Sequence, residues 1–186
     1  MSKRNNTNTK SDDAFPILAK TLINQVVFLG LHYAYDFFPT TFVSLFSGIN
    51  ESIFQHMKIG YFSYLIINVI ELLYQRKKVK NLKNFITTRI FTTALLPWVM
   101  FLLYFLPEAV FGKVDNFIVE IVLANIVLLL TSVLTVVVEK QIEKTTPSKS
   151  FMWASICLFV TAGFLFIMYT FRLPWFDVFA IPPGWE

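Results

Sequence analysis

The chain has 186 residues, of which 55% are hydrophobic, 17% aromatic and only 15% charged, where soluble domains run near a quarter charged. With a mean hydropathy of +0.59 and 21 Phe against 6 Gly and 8 Pro, this composition excludes a collagen-like, linker-like or disordered chain. The single Cys157 excludes an intramolecular disulfide, a CxxC redox pair and a cysteine zinc cluster, and the net charge of +4 calls for sorting by position.

Apolar runs of about 20 residues cross a bilayer core as helices. In chain order, a polar segment over 1–14 reads as a disordered cytoplasmic tail, followed by spans over 15–38, 52–74, 85–106, 117–138 and 151–171 and an extracytoplasmic tail over 172–186. The expected fold is therefore all-α: a bundle of five transmembrane helices filling 15–171. A soluble bundle would need a charged stripe on each helix, and 121–138 carries no charge. Lys20 and Gln25 interrupt the first run and no small-residue cleavage site precedes Pro39, so it is not a secretory signal.

The breaks are ordinary helix punctuation. Pro39 ends the first span, Gly48 and Asn50 precede the second, Asn50 as a plausible N-cap, Pro107 and Gly112 follow the third, and Pro147 precedes the fifth. Pro97 predicts a kink inside the third span.

Eleven of the sixteen Lys and Arg residues fall in the N-terminal tail, in 76–83 and in 140–149, whereas Lys113 and Arg172 alone lie on the other side and Lys20, Lys58 and Arg89 lie within spans. Positive residues stay in the cytoplasm, so the N-terminus is expected inside and the C-terminus outside, in the cell membrane. The cations form no recognisable nucleic-acid motif, and the 76–83 run reads as a topology signal that meets anionic lipid heads.

Charge inside a bilayer is costly and marks an interior or a cavity. His32 lies in the last third of the first span and His56 in the first turns of the second, both toward the outer face. Gln25, His32 and Asp36 share one helical face; Glu51, Gln55 and Lys58 share another, beside Ser52, His56 and Ser63. A short connection makes the first two spans antiparallel neighbours, so His32, Asp36, Glu51, His56 and Lys58 are expected to converge, with Asn50, Ser52 and Glu120 as further ligand-binding candidates. Asp115, Arg172 and Asp177 could close over the same region.

Three chemistries fit this set. His32, His56 and one of Asp36, Glu51 or Glu120, with Glu51 the leading candidate, make a two-His, one-carboxylate ligand set for a divalent metal with a position open to water. Without metal, Glu51 and His56 form an acid/base pair with Lys58 stabilising developing negative charge. A Ser52 nucleophile with His56 four residues on is the third. Against these stands a structural role, in which Glu51 pairs with Lys58 and His32 with Asp36 to fix helix register.

Elsewhere, Glu71 and Asn68 read as helix-bonding polar groups or a proton relay. Arg89 among Thr87, Thr88, Thr92 and Thr93 reads as an anchor reaching the cytoplasmic heads, the Trp residues as interfacial anchors, and Cys157 as a packed small hydrophobe. Thr131 and Thr135 share the face of Glu120; an ion or proton pathway would need polar continuity from Glu120 through Thr131 to Glu71, and a dry apolar layer would count against it.

The segment Gly48-Ile-Asn-Glu-Ser-Ile-Phe-Gln-His-Met-Lys58, preceded by Leu31-His-Tyr-Ala-Tyr-Asp36, resembles a family of small bacterial polytopic membrane proteins of unknown function. That family carries an Asn-Glu-Ser-x-x-x-His-x-Lys string opening the second span, matched here by Asn50, Glu51, Ser52, His56 and Lys58, with an earlier His matched by His32; Ile49 stands where it has Val. The resemblance implies no activity, and it implies a bacterial plasma membrane and the outer cluster as the site. The sequence thus points to binding or processing of a lipid-like or amphipathic ligand from the outer leaflet. The alternative is an accessory or assembly subunit, or a small transporter-like protein, that pairs with itself or another membrane protein and uses the cluster structurally.

Overall fold

The computed structural model describes residues 15–112, 116–172, 174–175 and 177–181. They are helical, with no strand among the described residues. Five helices are long and apolar enough to cross a membrane: α1 (Ile17–Phe37), α3 (Ile53–Gln75), α4 (Leu82–Phe111), α5 (Phe117–Glu143) and α6 (Lys149–Phe171). A single turn, α2 (Thr41–Ser44), sits in the first connection, and a 3-10 turn over Asp177–Phe179 follows α6. The expected N-terminal tail, Lys113, Asp115, Pro182, Pro183 and Trp185 lie outside the described residues.

Local chemistry sets the ends. Ser52, not Asn50, caps α3: its hydroxyl accepts from Gln55 N at 3.4 Å, while Asn50 Oδ1 accepts from Ser52 N at 3.0 Å and shapes the turn before it. Asn81, Asn116 and Ser148 cap α4, α5 and α6 in the same way. Pro107 does not end the third span. α4 runs through Pro97 and Pro107 for 30 residues and stops at Gly112, whose φ of +79° is the left-handed conformation that favours glycine. Proline inside a membrane helix is tolerated where neighbours satisfy the freed backbone groups. α5 continues past Val138, which carries Glu139 and Glu143 onto the helix.

Helices α1, α3, α4 and α5 close a four-membered ring, α1 on α3, α3 on α4, α4 on α5 and α5 on α1, with α6 laid against α4. α3 is the most enclosed, and its Tyr61 and Phe54 stack on α6 through Phe159 and Phe166. Phe179 in the 3-10 turn packs on Phe54 at 4.5 Å, so part of the C-terminal tail folds back onto the bundle. Cys157 is exposed on the outer face of α6 rather than packed.

Successive long helices alternate in direction. One end gathers the end of α1, the start of α3, the end of α4, the start of α5 and the end of α6; the other gathers Phe15, the α3–α4 turn and the α5–α6 turn. The two ends carry different polar chemistry.

Candidate functional site

At the first end, three of the expected residues meet. His32 comes from the last turns of α1, His56 from the first turn of α3, and Glu51 from the residue before the Ser52 cap. The Nε2 atoms of His32 and His56 are 3.2 Å apart, and Glu51 Oε2 lies 3.4 Å from the first and 3.5 Å from the second. Among the described residues, these form the one group of three His, Cys, Asp or Glu side chains whose ligand atoms all fall within 4.8 Å of one another.

The spacing has a simple geometric reading. Four ligands at about 2.0–2.1 Å from a zinc-like ion stand about 3.3–3.4 Å from one another at the corners of a tetrahedron. The separations of 3.2, 3.4 and 3.5 Å match three edges of that figure and leave the fourth corner open. The Nδ1 atom of His56 lies 3.0 Å from the Ser52 carbonyl, an acceptor that places the proton on Nδ1 and frees Nε2 as a lone-pair donor. His32 Nδ1 is buried without a partner, so its ring is held from the Nε2 side and by contact with Tyr33 and Phe28. The hydrogen bond to His32, reinforced by the charge of both imidazoles and opposed by burial, holds the Glu51 carboxyl below its usual range, so it is an anionic donor near neutral pH.

The trio borders a cavity of about 240 Å³. Phe28, Met57, Met100, Val127 and Leu128 give it an apolar floor and wall, and Glu120 and Asn125 on α5 add polar groups. Leu29 and Tyr33 of α1 and Phe117 and Ile121 of α5 line it and are also exposed. The cavity therefore opens sideways between α1 and α5, and the hydrogen bond from Gln25 Nε2 to Asn125 Oδ1, 3.0 Å, joins the two helices beside it.

Other expected members are elsewhere. Lys58 is fully buried and donates to the Ser44 carbonyl at 2.8 Å and Thr170 Oγ1 at 3.1 Å; it pairs with neither Glu51 nor the histidines. Two residues on from His56 is 200° around a helix, so the two side chains must diverge. Asp36 is exposed and does not take the His32 hydrogen bond. Ser52 Oγ serves the cap, and His56 meets the Ser52 carbonyl instead of the hydroxyl, which removes the serine nucleophile. Arg172 is exposed. Glu120 is in the cavity wall, as expected.

The second end holds a charge network that sequence reasoning assembled only in fragments. Lys20 Nζ donates to Glu71 and Glu139 at 2.6 Å each. Arg89 pairs with Glu71 at 2.9 Å and with Glu143, so it is a buried bridge and not an anchor reaching for lipid heads. Tyr64 Oη donates to Glu139 at 2.8 Å, Thr92 Oγ1 at 3.0 Å, and the Phe15 amide to Glu71 at 3.1 Å. Glu71 is thus an ion-pair centre and Asn68 donates to Thr93 at 2.9 Å, so both bond to neighbouring helices. Glu139 was missed because it falls one residue beyond the apolar run; its spacing of four and eight from Thr135 and Thr131 was the available signal.

Comparison with known proteins adds one finding. A family model described as "Family of unknown function (DUF6512)" matches residues 6–181. No curated protein and no solved structure matches the chain.

Proposed function

Because the chain belongs to the family DUF6512, a family of unknown function, we propose its role from its own geometry: a multi-pass membrane protein that holds a divalent metal on His32, His56 and Glu51 and uses it to bind and process a lipid-like amphiphile. The observation that carries this reading is the triangle of ligand atoms at tetrahedral-edge spacing, with its open corner beside an apolar cavity. Two neutral imidazoles and one carboxylate leave a zinc-class ion with net positive charge, which favours an anionic or ester oxygen at the open position. A bound metal would supply Lewis acidity and a water of lowered pKa there. The chain supplies an apolar wall for a hydrocarbon tail, a sideways mouth for entry from the leaflet, and Glu120 as a further carboxylate on the opposite wall. The positive-inside bias supports placing this end on the extracytoplasmic side of a bacterial plasma membrane.

A second reading is favoured by one observation, the direct 3.2 Å contact between the two imidazoles, which pairs their Nε2 atoms without an ion. It makes the cluster helix glue in an accessory subunit. Elemental analysis and native mass spectrometry of the detergent-purified chain, with zinc titration of chelator-treated protein, separate the two. Metal binding expects one ion per chain, lost in His32→Ala and His56→Ala. Wild-type protein that takes up no zinc overturns the metal reading.

A further inference from the structure

α1 and α5 face each other with a polar group at nearly every turn. From the charge network toward the cavity, the buried pairs are Lys20 with Glu139 at 2.6 Å and Asn24 Nδ2 with Ser132 Oγ at 2.8 Å, while Gln25 with Asn125, 3.0 Å, joins the two helices on their exposed side at the cavity wall. Ser63 of α3 joins the middle level by donating to Asn24 Oδ1 at 3.1 Å. Thr21, Thr131 and Thr135 are fully buried on the same two helices. Their hydroxyls find no partner, unlike Thr87, Thr88 and Thr93, which donate back to carbonyls one turn before. Among the described residues, five of the nine buried side-chain polar atoms without a partner are on α1 and α5: Thr21 Oγ1, Gln25 Oε1, His32 Nδ1, Thr131 Oγ1 and Thr135 Oγ1. In a membrane such atoms are tolerated where they line a hydrated interior.

We propose that the α1–α5 interface is a hydrated seam that passes protons between the histidine cavity and the Lys20–Glu71–Glu139 network, gated by Phe28 and Leu128. Hydroxyl and water groups suit this transfer because each accepts one proton while donating another, and no covalent bond to carbon changes. Antiparallel register supports the gate: the Asn24–Ser132 pair puts Phe28 and Leu128 one turn nearer the cavity, opposite each other. Both are buried and both line the cavity, so they form an apolar layer between it and the Asn24–Ser132 level; such a layer counts against a standing polar path, so the path is closed here in this structure and conducts only when the layer parts. Phe28 also lies against both imidazoles, with ring centroids 6.3 and 6.4 Å away, which couples the gate to the histidines. At the far end Glu143, paired with Arg89, is only partly buried and opens the network toward water. Short apolar constrictions close such paths by dewetting. This inference does not depend on the metal site.

The test uses the full chain in liposomes loaded with a pH-sensitive dye, with a potassium gradient and valinomycin setting the potential. Phe28→Ala should raise proton flux over protein-free vesicles by about tenfold, the change that lowering a barrier by about 1.4 kcal/mol gives. Adding Thr131→Val and Thr135→Val, near-isosteric changes that delete the two hydroxyls, should return it to the wild-type level, whereas Thr87→Val, off the seam, should leave it high. Far-UV circular dichroism and size-exclusion profiles identify any variant that fails to fold, and Leu128→Ala, which opens the same layer from α5, then replaces Phe28→Ala. No flux in either folded gate variant, no loss on adding the valines, or an equal sodium flux would overturn the proposal.

Discussion

Replacing Lys20 by methionine removes the cation that donates at 2.6 Å to both Glu71 and Glu139. Its ammonium sits 2.6 Å from each, and its side chain is 1% exposed. At an effective dielectric near 20, each contact is worth about 6 kcal/mol of gross attraction, much of it offset by the cost of taking three charges out of water. The substitution leaves that cost standing for the carboxylates, with Arg89 alone to serve Glu71, Glu139 and Glu143. Breaking a buried pair from one side costs about 3–5 kcal/mol, and Lys20→Met is expected to lose that much in SDS-titration unfolding in micelles. Removing one carboxylate as well restores the charge count, so Lys20→Met with Glu139→Gln should fall short of the summed single losses by about 1–3 kcal/mol. Single losses below about 1 kcal/mol, or strict additivity, would refute the view that these charges act as one unit.

Further expectations follow from other parts of the fold. In the proposed metal site His32 and His56 are direct ligands, so removing either should lower zinc affinity by titration by more than the roughly 10–100-fold typical of outer-shell partners. Ser52→Ala should cost about 1 kcal/mol in thermal unfolding through loss of the α3 cap. Gly60→Ala would set a Cβ 2.9 Å from Leu96 Cδ2 and 3.2 Å from Met100 Cε; with Leu96 fully buried, overpacking of about 1–3 kcal/mol outweighs the helix propensity gained, and a rise in midpoint would contradict this. Glu51 has a folded pKa below its ordinary value, so its stabilising contribution is complete above the ordinary carboxylate range and is lost as pH falls through the lowered folded value; Glu51→Gln should flatten that acid limb of the stability curve.

The five helices and the meeting of His32, His56 and Glu51 were legible because the bilayer penalises charge: apolar runs marked the spans, and the exceptions marked the site. The seven-residue spacing from Glu51 puts Lys58 on the same face only if both are helical, and α3 begins at Ile53 after the Ser52 cap, so Glu51 turns to the histidines while Lys58 turns into the bundle. The second network was not legible as a unit. Lys20, Glu71, Arg89 and Glu139 come from four helices, and nothing local in the chain states that these four faces meet. Arg89 in particular looks like an interfacial anchor from its own helix, and only the carboxylates brought by α3 and α5 make it a buried bridge.

The two ends are mechanically linked through α1. Lipid tails are as apolar as leucine, so burial alone gives a membrane helix little reason to choose its register. The buried residues of α1 are Lys20, Thr21, Asn24 and Phe28, three of them polar; its register is therefore set by Lys20 on Glu71 and Glu139 and by Asn24 on Ser132. His32 stands twelve residues beyond Lys20, about 18 Å along the helix, and a slip of one residue would turn it by 100° away from His56. Lys20 is thus a positioning residue for a site it does not touch. In chain that remains folded, Lys20→Met is expected to weaken zinc binding, and Lys20→Arg, which keeps the charge, to weaken it less. Unchanged affinity in folded Lys20→Met would show that the His32–His56 contact holds α1 in register by itself.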